Sequence, residues 1–162
     1  MLRKVLPLLS AGAVVALTIA GVSLASRSAP SAAHGKADSG EQRYLDVTTA
    51  SAFVDVDKSG GPSAGDEFVF NDQLKSPDGS QTLGTVQGSC VLTDLSEHPS
   101  LSRCSSTATF GDATINADGL SPAEGPFKFA ITGGTGRYDQ AHGEVTIQSQ
   151  TDSRSTVTID ID

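Results

Sequence analysis

The chain has 162 residues, enough for one domain with a hydrophobic core and little more. Its 19 acidic residues outnumber 11 basic ones, for a net charge of −8 at pH 7, and an acidic surface repels phosphate backbones, which argues against a nucleic-acid partner. Trp is absent and apolar residues make up 37% of the chain, so any core must be built from Phe, Val, Ile, Leu and Ala.

Arg3 and Lys4 precede a long uncharged run of apolar and small residues over 5–25. Ser23-Leu24-Ala25 and Ser31-Ala32-Ala33 are both acceptable cleavage sites. Residues 1–33 therefore read as a signal peptide, cut after Ala25 or Ala33, and the mature protein as exported and extracellular. The apolar run is also close to the length of a membrane span, so an uncleaved anchor is the competing reading and the one route to a membrane. No Cys follows the run, which excludes a bacterial lipoprotein anchor. Residues 34–43 are small and polar and read as a flexible linker. The folded domain is expected over 44–162.

The first strand is expected over 44–57, rich in Thr, Val and Ala, and a loop over 58–65. The second strand spans 67–75, with Phe68, Phe70, Asp72 and Leu74 on one face. Ser76-Pro77-Asp78-Gly79 has the composition of a tight turn. The third strand runs over 81–93; Gly84 and Gly88 inside it suit a sharply bent sheet. A loop over 94–100 leads to the fourth strand, 101–110.

Cys90 and Cys104, the only cysteines, fall on those two strands, which would pair as a hairpin. In an oxidising compartment they are expected to form a disulfide; two free thiols lining a pocket is the alternative. Gly111-Asp112 reads as a turn, 113–117 as the fifth strand and 118–126 as a loop. The sixth strand spans 127–132 and ends in the compact glycine turn Gly133-Gly134-Thr135-Gly136. The seventh and eighth strands are expected over 144–150 and 155–161. No window carries a 3.6-residue apolar period, so no helix is expected. Eight short strands joined by turns make a sandwich or a closed barrel, and pattern alone leaves both open.

Chemistry-bearing residues are few. Asp72, set among Phe68, Phe70 and Leu74, would have a raised pKa inside an apolar barrel and could act as an acid or base. His142 could titrate near neutral pH. Arg137 and Tyr138 read as pins for the glycine turn. The turn lacks the Gly-Lys-Ser/Thr ending of a phosphate loop. Asp55 with Asp57, and Asp160 with Asp162, alternate as acids on the solvent side of a strand would. His34, His98, His142 and the two cysteines lack zinc spacing, so no metal is expected.

Two stretches settle the fold. Phe110-Gly111-Asp112, then Phe129-Ala130-Ile131-Thr132-Gly133-Gly134, then Ala141-x-Gly143, resemble the allene oxide cyclase pattern. Asn71-Asp72-Gln73-Leu74 followed by Gly88 resembles the dirigent Asp-Asp-x-Leu strand and its successor. The similarity spans about 65–161. It implies an all-β, eight-stranded antiparallel β-barrel of calycin type, often a homotrimer, with no cofactor. It also implies a cavity that confines a reactive small apolar molecule and steers cyclisation or stereoselective coupling. An enzyme of this kind would be a cofactor-independent, isomerase-like cyclase.

The resemblance places Asp72 on the second dirigent Asp and on a polar pocket residue of the cyclase, and Asn71 on the first dirigent Asp. Cys90 falls on a cyclase pocket cysteine, a role that a disulfide would end. The cyclase's first-strand acid falls near Asp46. Asp72 is thus the candidate catalytic residue, and Asn71, Phe68, Phe70 and His142 are candidate ligand-binding residues. The competing reading is a non-catalytic barrel, either a ligand carrier or a surface-interaction module.

Overall fold

The computed structural model describes residues 39–94, 101–122 and 125–162. The expected signal segment, residues 34–38 of the expected linker, residues 95–100 of the expected 94–100 loop, and residues 123–124 lie outside these.

Eight strands follow in order: β1 (Gly40–Val54), β2 (Glu67–Lys75), β3 (Thr82–Asp94), β4 (Leu101–Phe110), β5 (Ala113–Pro122), β6 (Phe127–Thr135), β7 (Gly143–Thr151) and β8 (Arg154–Ile161). Each pairs antiparallel with its neighbour in sequence, and β1 pairs with β8 to close the barrel. Closure decides the question that the pattern left open, for barrel and not sandwich. A closed sheet leaves no unpaired edge for another chain to extend. Among the described residues no helix is long and apolar enough to cross a membrane.

Alternation places the core. Ala113, Ile115 and Ala117 of β5, Phe129 and Ile131 of β6, and Val157, Ile159 and Ile161 of β8 all point inward and are buried. An aromatic cluster closes one end. Tyr44 packs on Phe110 at 5.5 Å between ring centroids, and Phe110 meets Tyr138 edge-on at 5.8 Å. Arg137 lies over the Tyr138 ring, 4.8 Å from its centroid.

The elements depart from the sequence expectation at four places. β1 begins at Gly40, so residues 40–43, expected in the linker, pair with β8. It ends at Val54, which leaves Asp55 and Asp57 in a loop instead of on a strand. There they organise the chain: Asp55 accepts from Ser59 N and Gly60 N, while buried Asp66 accepts from Val56 N and Ser63 N. β5 continues to Pro122 through residues of loop-like composition. Gly119 is there because Phe129 crosses over it: a Cβ at that position would stand 2.4 Å from the ring. Finally, Gly133, Gly134 and Thr135 belong to β6 and pair with β5. The chain turns only at Gly136, through a 3-10 turn over Gly136–Tyr138.

Cys90 and Cys104 are directly opposite on β3 and β4 and form a disulfide with a Cα–Cα distance of 4.0 Å. The 14-residue separation corresponds to about 3 kcal/mol in the chain-entropy account. Replacing both cysteines by alanine is expected to lower Tm by roughly 10 °C. Thermal melts of the double variant against the oxidised protein measure this, and unchanged melting would show that the bond contributes nothing.

Candidate functional site

The barrel opens at the end opposite the aromatic cluster, and two adjoining spaces lie within it. The deeper is a cavity of about 50 Å³ walled by Leu74, Val86, Ala108, Ile115, Val157 and Ile159. The outer space, about 230 Å³, is walled by Phe68, Phe70, Phe127, Phe129 and the Cys90–Cys104 disulfide. Asp46 and Asp72 border both. From the mouth inward, the aromatic walls come first and the two carboxyl groups lie where the two spaces adjoin. Among the described residues no Lys, Arg or His lines either space.

The register explains why these two acids meet. Asp46 stands opposite Leu74, and Asp72 opposite Thr48, so the acids are diagonal neighbours on the inner face of the β1–β2 pair. Both lie in surroundings that disfavour charge. Asp46 is pushed up to about 7, first by burial and then by the negative charge of Asp72. Burial also raises Asp72, against a hydrogen bond from the Thr48 side chain that favours its ionised form. Asp46 Oδ1 and Asp72 Oδ1 are buried with no hydrogen-bond partner. Unbonded buried oxygens are costly, and such a pair is suited to meeting a polar group brought in by a ligand.

With its pKa pushed up to about 7, Asp46 can hold or release a proton near neutral pH, beside a second carboxyl that burial also raises. Its apolar setting strengthens any hydrogen bond it makes. That arrangement can hydrogen-bond a carbonyl, polarise it, or pass a proton.

Of the residues singled out from sequence, Phe68, Phe70 and Asp72 come together at the mouth. Asn71 does not join them: alternation turns it to the exposed outer face, where its backbone carbonyl accepts from Thr49 Oγ1. His142 sits at the closed end, exposed, with Nδ1 3.1 Å from the Gln140 carbonyl. In the sequence, Asp46 is reached only through the resemblance. A second signal for it is parity, because Tyr44, Asp46 and Thr48 alternate and Tyr44 is buried.

The class is that of a small closed antiparallel barrel with an apolar mouth and a pair of acids within it. The model of the allene oxide cyclase barrel like domain matches residues 45–161. The chain belongs to that family. Among solved structures, pyocyanin demethylase is 26% identical, with a TM-score of 0.68 over 75% of this chain and 99% of that one. AbnU, an exo-specific intermolecular Diels-Alderase, is 16% identical with a TM-score of 0.61 over 75% of this chain and 97% of that one. A pterocarpan synthase dirigent protein is 19% identical with a TM-score of 0.56, over 75% and 86%. The last two likenesses bear on the fold. No curated protein sequence matches the chain.

Proposed function

We propose that the barrel takes a small, largely apolar molecule through its mouth and guides that molecule's cyclisation or stereoselective coupling, with Asp46 and Asp72 engaging its one polar group. The observation that carries this reading is the pair of buried, unbonded carboxyl oxygens where the two spaces adjoin. Phe68, Phe70, Phe127 and Phe129 would hold the apolar body by stacking and exclude water. Protonated Asp46 would donate to a carbonyl or similar oxygen, drawing electron density from the reacting bonds, while Asp72 accepts from a hydroxyl or returns the proton. A positioned acid of this kind contributes roughly 10²–10⁴-fold to rate.

Barrels of this fold include a cyclase, a Diels-Alderase and a dirigent protein, which supports the cyclisation-guiding reading. Export belongs to the same proposal. The disulfide supports it, since such bonds persist in oxidising compartments.

The size of the inner spaces favours a second reading. Together they fall just short of the roughly 300 Å³ at which small-molecule sites begin, and the deep cavity alone holds little more than water. A carrier that seats its ligand only in the mouth would need no chemistry from the acids.

Native mass spectrometry of the protein from its own host identifies any retained molecule. Binding of a neutral fluorescent probe, N-phenyl-1-naphthylamine, then locates the site. Ser121→Trp, on the wall of the mouth, is expected to weaken binding by at least 10-fold. Unaltered binding would place the ligand elsewhere and end the proposal. With the retained molecule or its precursor in hand, Asp72→Asn is expected to lower turnover about 100-fold with the fold intact. Unchanged binding without turnover in either protein selects the carrier.

A further inference from the structure

The lining of the mouth is uneven in charge. Its two carboxyl groups, Asp46 and Asp72, are the only titratable side chains that border either inner space among the described residues. Each carries a buried oxygen that no donor of the protein reaches. A cationic or donor-bearing ligand would satisfy those oxygens. An anionic ligand would leave them orphaned and bring a further negative charge beside them, in surroundings that water screens poorly.

The rest of the lining acts in the same direction. A carboxylate leaving water needs donors to replace its hydration, and above about pH 7, where Asp46 is ionised, the side chains of the mouth offer hydroxyls only, from Thr48, Ser121 and Ser155. The Thr48 hydroxyl is already engaged by Asp72. The aromatic walls are two pairs of rings, Phe68 with Phe70 at 6.3 Å and Phe127 with Phe129 at 5.8 Å between centroids. Ring faces carry partial negative charge, so they attract cations and repel anions.

One described loop at the mouth is acidic as well. Phe68 lines the mouth, and the β1–β2 loop stands at that end, since Val54 and Glu67 are the last pair before it. In this loop, carboxylate oxygens of Asp55, Asp57 and Asp66 lie within 4.8 Å of one another, against the single base Lys58. Such a rim raises the local concentration of cations and lowers that of anions.

Resting on the mouth as the binding site, we propose that the barrel selects by charge: its ligand is a neutral or cationic conjugated molecule with a hydrogen-bond donor or basic nitrogen, and carboxylates of the same size and shape are excluded. A substrate that begins as a carboxylic acid would therefore have to be masked, as an ester, amide or ring-closed form, before it enters.

The test is competition against N-phenyl-1-naphthylamine at pH 8, at fixed ionic strength, by three molecules with one ring system: 1-naphthylmethylamine, 1-naphthylmethanol and 1-naphthoate. Displacement is expected in that order, with the amine at least 30-fold more effective than the carboxylate. The double variant Asp46→Asn, Asp72→Asn is expected to reduce that ratio at least 5-fold, while Asp112→Asn, an exposed acid in the β4–β5 turn at the closed end, leaves it unchanged. Equal displacement by amine and carboxylate, displacement by none of the three, or an equal change in both variants would overturn the charge selection. Each of those results requires the neutral probe to bind in the mouth, so they are distinct from loss of the site itself. That loss is read separately, as probe binding that Ser121→Trp leaves unaltered.

Discussion

Asp46→Asn is expected to make the barrel more stable at pH 8 and to leave its stability at pH 4 almost unchanged. The folded-state value of Asp46, about 7, lies above its ordinary value of 3.8. Between those two pH values the folded protein therefore binds more protons than the unfolded chain. Stability from this group is fully present below about pH 4 and is lost as pH rises through about 7. At pH 8 the wild-type barrel must hold two neighbouring carboxylates in an apolar wall, with buried Oδ1 atoms that have no partner.

An amide at position 46 removes one charge and the repulsion together. Discounted for the solvent that still reaches this group, the gain is about 1–2 kcal/mol, or roughly 5 °C in Tm. Thermal melts at pH 4 and pH 8 at equal ionic strength give the answer. A loss of stability of equal size at both pH values would mean that Asp46 is a structural hydrogen-bonding group and that burial does not hold it protonated. If the pair performs the proposed chemistry, the same substitution removes the proton donor. The variant that melts higher would then turn over more slowly, as expected where a site stores unfavourable energy for its task.

Gly143→Ala is expected to have the largest effect on folding, a loss of about 4 kcal/mol or more. Gly143 opens β7 and pairs on one side with Ile131 and on the other with Ile161. Its φ is +139°, outside the range of other residues, and an added Cβ would stand 2.0 Å from the Asp160 carbonyl oxygen and 3.2 Å from Ile161 Cα. These neighbours are backbone in an adjoining strand, so relief requires β8 to move, and β8 is the strand that closes the barrel on β1. Gly61→Ala is the matched control, since it has open space and an ordinary φ, and it is expected to be neutral within about 0.5 kcal/mol. Urea unfolding of both variants reads the difference. A Gly143→Ala protein as stable as the control would refute the junction of β6, β7 and β8 at this residue.

Much of the wall is legible from local pattern. β2 and β4 fall where apolar and aromatic alternation puts them, and the Ser76-Pro77-Asp78-Gly79 turn joins β2 to β3 with Gly79 at φ +75°. These features depend on neighbours within a few residues, so composition and period suffice. β1, β5 and β6 differ in length from the sequence expectation, and in β5 and β1 the reason is plainly non-local. Residues 118–122 look like a loop because Gly119 and Pro122 do, but Gly119 is small to let Phe129 pass, a contact ten residues away in sequence. Residues 40–43 look like a tether because they are polar, but β8 supplies their partners.

The candidate site is half legible. Phe68, Phe70 and Asp72 share one face of β2 by simple alternation, and that face does line the cavity. Asn71 enters by resemblance alone, and alternation turns it outward.

By itself, the sequence determined the strand count, the turn chemistry, the acidic charge and a cysteine pair on adjacent strands, because each depends on short-range sterics or on composition. The tertiary structure alone decided the closure of β1 on β8 and the meeting of Asp46 with Asp72. It also decided the convergence of Asp55, Asp57 and Asp66. The register slips between Thr48 and Ala50, so the inward face of β1 changes parity there, and Phe53 rather than Ala52 stands opposite Phe68. A bulge of one residue reverses every side chain beyond it, and only the pairing of whole strands fixes where the bulge falls.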